Sequence, residues 1–114
     1  MPVSEGFVAF VLEQLDPLGP ITSKRMFGGV GLYAGDLFFA LVAGDVLYLK
    51  ADETTRVPME KAGAHAFQPS NRPKGKGKTQ YFSVPVAVLE DADKLLAWAT
   101  RAIAVARASH ASHG

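Results

Sequence analysis

Between positions 29 and 51 the chain reads GVGLYA, GD, LFFALVA, GD, VLYLKA. Runs of β-branched, aromatic and aliphatic residues broken by Gly-Asp pairs are strand-like, and they predict strands from Val30, from Leu37 to Val42 and from Val46 to Leu49. The connections Ala34-Gly35-Asp36 and Ala43-Gly44-Asp45 are far too short for a parallel crossover, which needs about a dozen residues. The three strands must therefore form an antiparallel meander. Any helices in such a chain are segregated from the sheet in an α+β layer arrangement.

The flanks supply the helices. Ser4 followed by Phe7, Val8, Phe10, Val11, Leu12 and Leu15 reads as a cap and an apolar helical stripe, ended by Asp16-Pro17. Pro17 to Pro20 is a turn, and Thr22 is positioned to cap a short helical turn through Lys24-Arg25-Met26. Asp52 or Thr54 can cap a second helix that runs to about Ala62 and stops at Gly63, with Pro58 limiting the regularity of its first turns. A short strand at Ala66 to Gln68 and a clearer one at Gln80 to Ser83 flank the loop PSNRPKGKGK. Asp91 or Asp93 then begins a last helix, in which Leu95, Leu96, Trp98, Ala99, Ala102, Ile103, Val105 and Ala106 make a broad apolar face. The expected order is helix, three strands, helix, two strands, helix, with a five-stranded antiparallel sheet in one domain over 1–108 and a frayed tail over 109–114.

With 114 residues, 48% of them apolar and 20% charged, the chain has the balance of a globular domain. Its formal net charge of +1 supplies no global field for nucleic acid or an acidic membrane. The lack of cysteine excludes disulfides, thiolate metal sites and thiol nucleophiles, and suits a reducing cytoplasm. No basic leader and no run of about 18 apolar residues is present, so a cytoplasmic protein without a membrane partner is expected.

Two motifs invite a nucleotide reading, and both lack its context. Gly29 to Ala34 satisfies G-x-G-x-x-A, but a dinucleotide loop connects a strand to a helix N-terminus, whereas here a polar turn leads into a strand. Gly77-Lys78-Thr79 resembles the end of a phosphate loop, yet Arg72 stands where its first glycine belongs, and a strand follows. The glycines 28, 29 and 31 are expected to serve backbone geometry, and no cofactor is expected.

Lys24, Arg25, Arg72, Lys74, Lys76 and Lys78 are the candidate contacts for phosphates, with Tyr81 and Phe82 beside them to stack a base. Near-neutral charge makes a solvated loop the favoured reading. His65 stands alone, while His110 and His113 form an H-x-x-H without further ligands, so no metal site is expected. No nucleophile or acid/base motif is present, and no catalytic residue is assigned.

The ordered set R-M-F-G-G-x-G-L-Y from Arg25, L-Y-L-K from Leu47, Y-F-x-V-P from Tyr81 and L-L-x-W-A from Leu95 resembles the TfoX (Sxy) N-terminal domain family, from Phe7 to about Arg107. The family motif falls on Arg25, Met26, Phe27, Gly28, Gly29 and Gly31. The resemblance implies a secretion-chaperone-like α+β domain in a bacterial, cytoplasmic, non-enzymatic role in competence regulation. It also implies a stand-alone member lacking the second domain of TfoX regulators, and it brings no catalytic or ligand-binding residues. The function expected is a regulatory or protein-interaction module, with weak nucleic-acid binding as the alternative. A regulatory protein partner is left unidentified. Aromatic residues Tyr33, Phe38, Phe39, Tyr48, Tyr81 and Phe82 occupy both parities of the strands, so a homodimer through the sheet surface or edge is expected.

Overall fold

The computed structural model describes residues 5–26, 28–67 and 80–113. Helix α1, Glu5–Leu15, is followed by one 3₁₀ turn at Asp16–Leu18. Four strands come next: β1 Ile21–Met26, β2 Gly29–Ala34, β3 Leu37–Ala43 and β4 Val46–Ala51. Helix α2, Arg56–Lys61, precedes β5, Gln80–Ser83, and the chain closes with α3, Val86–Leu89, and α4, Ala92–His113. The sheet is antiparallel throughout, in the order β1-β2-β3-β4-β5.

The α+β class and the five-stranded sheet are as expected, but the distribution of strands is not. The segment from Thr22 to Met26, expected as a helical turn, is the edge strand β1. Its residues Thr22, Ser23, Lys24 and Arg25 are exposed on both faces, so the alternation that betrays a half-buried strand is missing. The expected strand from Ala66 shrinks to a single bridge, Ala66 to Phe82, and Gln68 and the loop 69–78 lie outside the described residues. Helix α3 has no counterpart in the expected order. Helix α4 continues to His113, past the end of its apolar stripe.

The hairpins follow from their turn residues. Gly44 and Asp45 have φ values of 56° and 58°, the pair of left-handed residues that a type I′ turn requires. At the second helix, Asp52 Oδ1 accepts the backbone N–H groups of Thr54 and Thr55 at 3.0 and 2.8 Å, which closes the turn before α2. Asp91 caps α4 by accepting the Lys94 N–H at 3.1 Å.

The core lies between one face of the sheet and α4, with α1 alongside. Leu95, Ala99, Ala102 and Ala106 of α4 are buried at helical spacing, and their small size lets the helix sit close on β3 and β4. Val11 and Leu15 of α1 complete this layer, and Gln14 Nε2 donates to the Leu89 carbonyl at 3.2 Å to tie α1 to α3. A bulge shapes the sheet: Leu32 pairs with Ala40 and Tyr33 with Phe38, which leaves Phe39 as the extra residue of β3. Phe39 and Ala40 are both fully buried, and Phe38 is delivered to the opposite face.

Candidate functional site: the helix-free face of the sheet

Cross-strand partners share a face of a sheet. The register therefore places Lys24, Gly31, Leu41, Tyr48 and Ser83 on the face away from α4, with Thr22, Tyr33, Phe38, Lys50 and Tyr81 in the neighbouring row. The aromatic rings on this face touch one another. Tyr33 stacks on Phe38 with centroids 5.2 Å apart, and Phe38 meets Tyr81 at 5.5 Å. Tyr48 meets Phe67 edge-on at 4.9 Å and His65 at 6.1 Å. Leu41 is buried beside these rings without belonging to the main core, so the face carries a thin apolar layer of its own.

Two cations flank that layer. The Lys24 ammonium lies 5.3 Å from the centre of the Tyr33 ring and that of Lys50 lies 5.8 Å from Tyr81, both in cation–π range. Burial lowers the Lys50 pKa and raises that of Tyr48. Burial first, and then the charge of Tyr33, pushes the Tyr81 phenol up to about 12.

The candidate contacts are only partly brought together. Lys24 and Arg25 are consecutive on a strand and so point to opposite faces. Arg25 reaches toward Glu5 of α1, where a 3.9 Å ion pair, exposed on both sides, contributes little. Arg72, Lys74, Lys76, Lys78, Phe27 and the Met26 side chain lie outside the described residues. Tyr81 and Phe82, read as a stacking pair, are also divided, since Phe82 is buried in the core. Gly28 has φ 77°, and Gly31 lies between Lys24 and Leu41 in the register.

His65 is not alone. Its backbone N–H donates to Ser83 Oγ at 2.9 Å, Ser83 Oγ lies 3.1 Å from His65 Nδ1, and the Ser83 N–H donates to the His65 carbonyl at 2.9 Å. Ser83 is buried, and the exchange clamps segment 64–67 onto β5. Lys50 and this clamp escape a reading of local sequence, because each depends on neighbours distant in the chain. The side chains of His110 and His113 lie outside the described residues. Among the described residues no three carboxylates or histidines converge on a point that could hold a metal ion, and no helix is long and apolar enough to cross a membrane.

A family model described as the TfoX N-terminal domain matches residues 13–106, from the second half of α1 to the buried end of the α4 stripe. No curated protein matches the chain.

Proposed function

The chain belongs to the TfoX N-terminal domain family, and we propose that it is a non-catalytic regulatory module that self-associates through the helix-free face of its sheet. The observation that carries this reading is the contact chain Tyr33–Phe38–Tyr81, joined on the same face by Tyr48 and Phe67. Aromatic residues dominate interface energetics, and pairing two such faces would remove their remaining surface from water. A two-fold axis through the face is the simplest closed arrangement. Membership of the family and the absence of cysteine support a cytoplasmic place and a role in the control of competence as part of this reading. Sedimentation equilibrium at micromolar concentration tests the assembly. The expected species has twice the 12.1 kDa chain mass, and a single species at 12.1 kDa at all concentrations refutes it.

A second reading has one specific observation in its favour. Lys24 and Lys50 stand beside Tyr33 and Tyr81, so cations and ring faces share one surface, the combination that binds single-stranded nucleic acid. Affinity for an oligonucleotide that falls steeply with salt supports it, and salt-independent or absent binding removes it.

A further inference from the structure

Strand β1 has β2 as its sheet neighbour and no strand on its other side, so a six-residue edge stands open among the described residues. Its backbone N–H and C=O groups on that side are a template for another extended chain. Directly against this edge, on the side of the sheet opposite the aromatic strip, a cleft of about 420 Å³ separates α1 from the sheet. Val8, Ala9 and Leu12 of α1 and Val30 of β2 form its apolar wall, while Glu5 of α1 and Ser23 and Arg25 of β1 form its rim. Ligand pockets begin at about 300 Å³, so this volume accommodates a large apolar side chain.

An open edge beside a cleft with an apolar wall is the arrangement of strand-addition sites, in which the main chain supplies affinity and alternate side chains supply selectivity. Charge selects the occupant. Ile21–Met26 carries Lys24 on one face and Arg25 on the other, with no carboxylate in the strand. A second copy of β1 would add two more cations to this ribbon and no carboxylate to pair with them. The nearby carboxylate of Glu5 holds Arg25 only through the exposed 3.9 Å contact, which an incoming carboxylate displaces at little cost. We infer that the β1 edge and the α1–β1 cleft form a groove that binds an extended acidic peptide, one large apolar side chain of which enters the cleft. The cleft lies on the opposite side of the sheet from the aromatic face used for self-association, and Lys24 borders that face.

The test uses the full chain and a pool of short, acetylated and amidated peptides. Each carries Leu, Ile, Phe or Met at its centre, flanked by Asp, Glu, Lys, Arg, Thr or Val. Retained peptides should be enriched in Asp and Glu, and should shift the amide resonances of Ile21 to Met26 and the methyl resonances of Val8, Leu12 and Val30. Ala9→Trp fills the cleft from an exposed helix position and should weaken the selected peptide by at least about tenfold. The double variant Lys24→Glu, Arg25→Glu, altered only at exposed positions, should reverse the preference from acidic to basic peptides. No enrichment, charge-blind retention, or unchanged affinity in Ala9→Trp overturns the inference. Selective binding to a protein that sediments as a monomer upholds the groove while removing self-association, and dimers without peptide selection do the opposite.

Discussion

The Cβ that alanine would add at Gly29 falls 2.5 Å from the carbonyl oxygen of Val42 on the neighbouring strand and 3.5 Å from its carbon. Both atoms are main chain at the end of the β2–β3 ladder, so the two strands would have to separate there to admit a methyl group. A glycine is needed here for close approach of two strands, and the G-x-G-x-x-A spacing needs no phosphate to explain it. Gly29→Ala should lose about 1–3 kcal/mol in urea unfolding, in the range of an overpacked core. Titration of the native protein with ATP or NAD should give no heat, and saturable micromolar binding of either would contradict this reading of the loop.

Phe38 and Phe39 are neighbours in the chain with different duties, because the bulge turns Phe39 into the core and leaves Phe38 half-buried among the aromatics of the open face. Phe39→Ala should cost about 3–5 kcal/mol, the usual loss for a buried phenylalanine. Phe38→Ala should cost clearly less in the isolated chain. Equal losses in parallel denaturant melts would place both rings in one core.

What could be read in advance was whatever local chemistry dictates. The Gly-Asp pairs announced two hairpins because a two-residue turn demands left-handed backbone, and Leu95 to Ala106 announced α4 because its stripe is long and regular. Strand β1 was illegible because an edge strand exposed on both faces shows no period, and the eventual partners of Thr22 to Arg25 lie on β2. The division of Lys24 from Arg25 onto opposite faces likewise depends on the pairing of β1 with β2. The aromatics were visible, but their sorting was not: the bulge exchanges the faces that simple alternation gives to Phe38 and Phe39. The clamp between His65 and Ser83 joins residues on either side of the basic loop and has no local signature.

Asp52 should report on acid stability. The Thr55 backbone N–H holds its carboxylate below the usual range, against a smaller opposing effect of burial, with the Thr55 hydroxyl and the Thr54 N–H adding to the first. A depressed native pKa gives stability that is present above the unfolded value of about 4 and is lost as pH falls through the native one. Asp52→Asn should therefore be less stable than the wild-type chain at neutral pH, with the gap narrowing below about pH 4. A gap independent of pH, measured by urea melts across that range, would mean that ionisation of Asp52 is not what closes the turn.

Tyr81 should report on the alkaline side with the opposite sign. Its native pKa, pushed up to about 12 chiefly by burial, exceeds the ordinary tyrosine value of 10.0. Above pH 10 the unfolded chain therefore releases a proton that the folded chain retains, and stability falls as pH climbs toward 12. In Tyr81→Phe part of that fall should disappear, and the last component of the phenolate absorbance titration should vanish with it. A variant that keeps the full alkaline loss would place Tyr81 in free contact with water.

Tyr33 offers the sharpest test of self-association, since its ring lies at one end of the aromatic strip, 5.2 Å from Phe38 and 5.3 Å from the Lys24 ammonium. A glutamate at this position is tolerable in the monomer, because the side chain is partly exposed and Lys24 stands ready to pair with it. In a two-fold interface the same change removes an aromatic contact and puts a charge into a desolvated surface on both subunits. Unpaired charge in such a place costs several kcal/mol, so Tyr33→Glu should weaken dimerisation by more than about a hundredfold. Its thermal unfolding, measured at a concentration where both proteins are monomeric, should change little. If Tyr33→Glu and the wild-type chain sediment with the same dimer constant, the strip is not the interface, and the half-buried aromatics serve the stability of the single chain.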